Sequence, residues 1–191
     1  MAPIPLACVV VAGGKSSRMG SDKSLLPFGE YQTLTQYQIA RNTPWFESLH
    51  VSCKTKDKFD FTASFIEDTK EFGEYSPLIA LYSVLKEFKT PVCILSVDTP
   101  FVTKEVYQKL HEEIKNSDVV IARSPYGSHQ LCAIYAPKIL PVLKEQIQIN
   151  NHKIKDMLRK VHTLYVDFPS DEPFTNLNHY EEYEKAKGKI G

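Results

Sequence analysis

Leu6-Ala7-Cys8-Val9-Val10-Val11-Ala12-Gly13-Gly14-Lys15-Ser16-Ser17-Arg18-Met19-Gly20-Ser21-Asp22-Lys23 runs from unbroken apolar residues into paired glycines and then into cations. Leu6 to Ala12 is β-branched and apolar without alternation, the pattern of a strand buried on both faces of a parallel sheet. Paired glycines directly after such a strand let the main chain turn sharply and approach a ligand with no Cβ in the way, their N–H groups aimed at anionic oxygens. Arg18 offers a forked contact to phosphate and Lys23 a compact point charge able to follow a leaving pyrophosphate. The segment therefore predicts a phosphate-binding loop. Two familiar alternatives do not fit: there is no G-x-x-x-x-G-K-[ST], and no G-x-G-x-x-G followed by an acid about 20 residues on.

Working outward, short apolar runs recur at Leu49 to Cys53, Ala63 to Ile66, Val92 to Val97 and Val119 to Ala122. Helical stretches lie between them: Leu34 to Arg41, Leu78 to Phe88 after Ser76-Pro77, and Lys104 to Lys115 after Thr103. Alternation of this kind predicts an α/β fold with a mostly parallel sheet. Leu131 to Tyr135 follows Pro125-Tyr126-Gly127 too closely for a helical crossover, so parallel order should end there. Pro137 to Gln148, His152 to Lys160 and His179 to Lys187 read as helices, and Thr163 to Val166 as a last strand.

Length and charge bound the function. The 191 residues suffice for one α/β domain with a substantial core, so 1–191 is expected to be a single domain. Lys plus Arg and Asp plus Glu both number 23, which leaves no excess positive field for a nucleic-acid backbone or an anionic membrane. Ile4 to Val11 is too short to span a bilayer and lacks the flanks of a signal peptide, so a cytoplasmic location is expected. Cys8, Cys53, Cys93 and Cys132 are far apart within apolar stretches and read as reduced core thiols.

Val92 to Val97 delivers Asp98 at the carboxyl end of a strand, where open α/β sheets place their ligands. Mg²⁺ takes one or two carboxylates plus water and substrate phosphates, so one well-placed Asp is enough. An Asp before Thr99-Pro100 also suits a turn or cap, and chemistry alone leaves both readings open.

The glycine segment resembles, almost residue for residue, the A-G-G-x-S-x-R-M-G-x-D-K signature of the molybdenum cofactor guanylyltransferases. Its Met-Gly-x-Asp-Lys ending separates that family from the wider group of sugar-phosphate and isoprenoid-precursor nucleotidyltransferases. The resemblance implies a three-layer α/β sandwich with a Rossmann-like sheet, of the nucleotide-diphospho-sugar transferase type. It implies Val11, Ala12, Gly13, Gly14 and Lys23 on the nucleotide, and Arg18, Lys23 and Asp98 in catalysis. Ser96-Val97-Asp98-Thr99-Pro100-Phe101 is similar to the family's C-D-x-P segment, which makes Asp98 the Mg²⁺ ligand. Asp68, closing the run to Ile66, resembles the family's strand-end Asp on the nucleotide, and Ser52 falls where some relatives place an Asn.

Ser76-Pro77-Leu78-Ile79-Ala80 looks like the family's G-P-L-x-G at the base pocket, with Cβ atoms at Ser76 and Ala80 where the family has glycine. Phe174-Thr175-Asn176-Leu177-Asn178 is similar to the closing F-x-N-x-N segment, implying Asn176 and Asn178 on the acceptor. His129 falls near a family H-P segment and joins them as an acceptor contact. The substrates implied are GTP and molybdenum-molybdopterin, with molybdoenzyme maturation proteins as recipients. A CTP-dependent sibling, another small-metabolite nucleotidyltransferase, or a non-catalytic cofactor-binding module would each keep part of this pattern.

Overall fold

A computed structural model describes residues 2–13 and 22–190 of the chain. Among the described residues, seven strands form one sheet: β1 (Ile4–Val11), β2 (Phe46–Cys53), β3 (Phe65–Glu67), β4 (Val92–Ser96), β5 (Val119–Ser124), β6 (Gly127–Tyr135) and β7 (Thr163–Asp167). Their order is β3-β2-β1-β4-β6-β5-β7, parallel throughout except for β6. The helices are α1 (Leu34–Asn42), α2 (Pro77–Lys86), α3 (Lys104–Glu113), α4 (Leu140–Gln148), α5 (Ile154–Leu158) and α6 (Tyr180–Lys187).

Strand alternation divides the core into two layers. Along β1, Ile4, Leu6, Cys8 and Val10 face one side, where they meet Leu34 of α1, Val106, Tyr107 and Leu110 of α3, and Tyr183 and Ala186 of α6. Val9 faces the other, against Leu78, Ile79 and Leu81 of α2, Leu143 of α4 and Met157 of α5. Burial on both faces explains why β1 and β4 read as continuous apolar runs. The result is the expected three-layer sandwich, and all four cysteines are buried free thiols within it.

Local chemistry fixes the helix starts. Thr33 accepts from the Gln36 amide at the head of α1, and Ser76 from the Ile79 amide at the head of α2, with Pro77 in the first turn. At α6 the cap is His179, whose amide is held by Glu182. Asn178, one residue before that cap, is not itself the N-cap.

The structure corrects several bounds. The sixth strand begins at Gly127 rather than Leu131, because Gly127 (φ 135°) closes a tight hairpin that keeps Ser128 to Gln130 in the ladder. That strand pairs antiparallel with both β5 and β4. The third strand is Phe65–Glu67, shifted from Ala63 to Ile66. Pro137 opens a short 3-10 turn before α4. The following helix starts at Ile154, not His152, because Asn150 takes a left-handed conformation (φ 57°) and Asn151 accepts from the Lys153 amide.

Sheet order positions the site. β2 and β3 lie to one side of β1 and β4 to the other, so the chain reverses its direction of travel across the sheet between β1 and β4. Such a switch point leaves a crevice outside the carboxyl ends of the two strands. Val11 and Ser96, the last residues of β1 and β4, are paired in register there.

Candidate active site

The cleft at this switch point has a volume of about 390 Å³, within the range of small-molecule sites. β1 contributes Val11, with Ala12 and Gly13 just beyond it; the chain returns through Asp22, Lys23 and Ser24; β4 contributes Ser96, then Val97 and Asp98. Lys54, Asp68, Tyr75, Ser76, Pro77, Ala80 and Leu131 complete the wall.

Lys23 and Asp98, 75 residues apart, meet here. The Lys23 ammonium donates to Asp98 Oδ2 at 3.3 Å and to Asn178 Oδ1 at 3.1 Å. The other Asp98 oxygen accepts from Ser96 Oγ at 2.6 Å. The Asp98 carbonyl accepts from the Leu177 amide at 2.9 Å, so the segment carrying Asn178 is tied to the strand end that carries Asp98. Both charged groups are largely but not wholly withdrawn from solvent, which reduces the screening of each.

The strand end is braced from α1. Gln38, fully buried, donates to the Val97 carbonyl at 3.2 Å, and Arg41 donates to the carbonyls of Pro100 and Val102, each at 2.7 Å. These bonds satisfy backbone acceptors that Pro100 leaves without a regular ladder.

A second lysine holds the glycine segment at both ends. Lys58 Nζ donates to the Ala12 carbonyl at 2.7 Å, to Asp22 Oδ2 at 2.8 Å and to Ser24 Oγ at 2.8 Å. Burial pushes the Asp22 carboxyl upward, but the hydrogen bonds from Lys58 and Ser24 outweigh it and hold it below its ordinary value. Lys58 carries no sequence signal, since it sits in Lys56-Asp57-Lys58, a run that reads as a solvated loop.

Asp68 is 6% exposed, and burial raises its carboxyl to about 6 against the opposing charge of Lys54. Its Oδ1 has no hydrogen-bond partner among the described residues. Its Oδ2 lies 3.9 Å from where a Cβ on Gly13 would stand. A buried carboxylate oxygen left unpaired is costly, and a donor arriving in the cleft relieves that cost.

Other sequence-predicted residues fall differently. Gly14 and Arg18 lie outside the described residues. Ser52 is fully buried, its Oγ without a partner among the described residues, and it does not line the cleft; Lys54, two residues on, does. Asn176 is exposed, while Asn178 reaches Lys23. His129 stacks on Phe174, with ring centroids 4.2 Å apart, and bonds to Ser124 Oγ at 2.7 Å, outside the cleft lining. Burial lowers the pKa of its imidazole.

The donor set suits a divalent metal held by few protein ligands. Among the described residues no group of three His, Cys, Asp or Glu side chains is placed to hold a metal ion by itself. Asp98 lines the cleft with one carboxylate oxygen 3.3 Å from the Lys23 ammonium, an arrangement expected where phosphate oxygens and water complete the coordination.

A family model for MobA-like NTP transferase domains matches residues 8–164. A molybdenum cofactor guanylyltransferase of Campylobacter jejuni (strain RM1221) is 42% identical over 187 residues, covering 97% of each chain. One of Helicobacter pylori (strain G27) is 31% identical, covering 95% of this chain and 91% of its own. The crystal structure of molybdopterin-guanine dinucleotide biosynthesis protein A from Archaeoglobus fulgidus superposes with a TM-score of 0.82 at 20% identity, over 96% of this chain and 98% of that one, and so shares the fold.

Proposed function

The chain belongs to the MobA-like NTP transferase family, and on that premise we propose that it transfers GMP from GTP to the terminal phosphate of molybdenum-molybdopterin, releasing pyrophosphate. The observation that carries this reading is the convergence of Lys23 and Asp98 at the β1–β4 switch point, 3.3 Å apart, in a cleft also lined by Ala12 and Gly13.

The oxygen of the acceptor phosphate attacks the α-phosphorus of GTP in line, and the bond from the α-phosphorus to the bridging β-oxygen breaks. The acceptor is already ionised near neutral pH, so no residue has to remove a proton from it. Lys23, aimed by Asp98 and Asn178, neutralises charge gathering on the triphosphate without having to reorient during the reaction. The Ala12–Gly13 main chain supports the phosphates from the other side, with Arg18 and Gly14 as further contacts. Asp98 would hold Mg²⁺, which would offset charge on the phosphate oxygens. Asn178 and the segment that carries it place the acceptor next to Lys23. The whole chain acts as one domain in the cytoplasm, passing its product to molybdoenzyme maturation proteins.

The test is Mg-dependent pyrophosphate release with a molybdopterin-type acceptor, comparing GTP, CTP, ATP and UTP. Turnover with GTP alone is expected, and Asp98→Ala should reduce it by roughly 10²–10³-fold. Turnover with CTP alone would move the base specificity, and silence with all four on a verified acceptor would refute nucleotidyl transfer.

A further inference from the structure

Part of the cleft wall is apolar, formed by Pro77, Ala80 and Leu131 with the Tyr75 ring at its rim, and Ser76 interrupts that surface with a hydroxyl. The phosphates of a nucleotide are drawn to Lys23, whereas the flat, weakly hydrated base fits the apolar wall. The polar group on that wall is therefore placed to read the base edge. We propose that Ser76, oriented by His152, is a base-specificity residue whose oxygen accepts a hydrogen bond from an exocyclic amino group of the nucleobase. This rests on the reading that the cleft takes a nucleoside triphosphate.

The hydrogen-bond inventory gives the direction. Ser76 Oγ accepts from the Ile79 amide at 3.2 Å and lies 2.9 Å from His152 Nδ1. Beside the other ring nitrogen stand Glu74 Oε1 at 3.1 Å and Asn150 Oδ1 at 3.0 Å. A carboxylate can only accept, so Nε2 carries the hydrogen, and Nδ1 of a singly protonated ring is an acceptor. The one hydrogen of Ser76 is then donated to His152. Of the two lone pairs on the hydroxyl oxygen, one takes the Ile79 N–H and one is left for a ligand. Ser76 thus presents an acceptor and no donor, matched to an amino group and mismatched to a carbonyl. His152 is a positioning residue: it fixes which way the hydroxyl points and does not line the cleft itself.

Guanine and hypoxanthine differ at this edge by the 2-amino group, so the test compares dissociation constants of GTP and ITP on the full chain. The titration is calorimetric and is carried out with Mg²⁺ at about pH 8.5, well above the ordinary imidazole range. The wild-type chain is expected to bind GTP about tenfold more tightly than ITP, the effect of one well-made hydrogen bond. Ser76→Gly, which keeps an acceptable helix cap, should bring the ratio within about twofold by weakening GTP while leaving ITP unchanged. Ser76→Thr, which keeps the hydroxyl, should retain the preference. His152→Ala, which releases the hydroxyl to rotate, should fall between about two- and fivefold with ITP again unchanged.

An unchanged ratio in Ser76→Gly, equal weakening of both triphosphates, or no preference in the wild-type chain would overturn the assignment while leaving nucleotide binding intact. Failure of the wild-type chain to bind either triphosphate would instead remove the reading on which the assignment depends.

Discussion

At the scale of single residues, Gly13 separates folding from binding. A Cβ there would meet its nearest neighbours, the Lys54 amide, Cys53 Cα and Asp68 Oδ2, at 3.7 to 3.9 Å, ordinary contact that the protein tolerates. Any demand for glycine must come from a ligand approaching the main chain. Gly13→Ala should keep its thermal midpoint within about 2 °C of the wild type, since surface-accessible changes of this kind stay within about ±0.5 kcal/mol. The same variant should lose at least roughly tenfold in GTP affinity, read by titration. Asp68 makes an opposite kind of prediction, about pH. Its folded carboxyl, near 6, lies above the ordinary 3.8, so the native state holds the proton more tightly than the unfolded chain. That contribution to stability is complete below about pH 4 and is lost as pH rises through about 6. Asp68→Asn should flatten the dependence of thermal midpoint on pH between 4 and 7. At pH 8 it should exceed the wild type by up to about 3 kcal/mol, the shift converted at about 1.4 kcal/mol per unit.

At the scale of elements, the machinery depends on struts that arrive from elsewhere in the chain. Lys58, between β2 and β3, ties Ala12 to Asp22 and Ser24, and α1 holds the turn after β4 through Gln38 and Arg41. Lys58→Met should leave the Ala12 carbonyl and Asp22 without their charged partner. The expected cost is roughly 1–3 kcal/mol of stability in chemical denaturation, together with a raised KM for GTP. Arg41→Met should lower kcat with a smaller change in KM, because it loosens the strand end that aims Asp98; an unaltered kcat would show that Asp98 needs no such brace. These struts also mark where sequence reading stops. The strand leading to Gly13 and the one leading to Asp98 were legible because burial on both faces imposes an apolar run. The hairpin turn at Pro125-Tyr126-Gly127 was legible because no helix fits in it. Lys58, Gln38 and Arg41 were not, since a lysine among loop charges and polar residues on a helix look solvated until tertiary contacts bring acceptors to them. Asn178 stands out in sequence only through its place in Phe174-Thr175-Asn176-Leu177-Asn178, whereas its bond to Lys23 is a tertiary contact. His129 illustrates the converse, a histidine near a family motif that the fold spends on packing against Phe174.

At the scale of the whole molecule, alternation of strand and helix announced the layered sheet, whereas strand order is a matter of long-range register that no local pattern encodes. That order brings Cys8 on β1, Cys93 on β4 and Cys132 on β6 into the same core layer, with Cys8 and Cys93 directly paired across the ladder. Burial raises the pKa of the Cys93 and Cys132 thiols well above the ordinary range, and that of Cys53, on β2, to about 11. Thiolate is the reactive form, so each of these groups is silenced twice, by its proton and by its inaccessibility. A thiol-specific dye should therefore modify none of the four in the native protein at pH 8, and all four in denaturant. Because the three strands are neighbours in mid-sheet, their cysteines should react together and at the rate of global opening, while Cys53, beside the short β3 edge, should react ahead of them. The cysteines thus act as an internal clock for opening of the native state, and an order of labelling other than this would show that the sheet parts along a different seam.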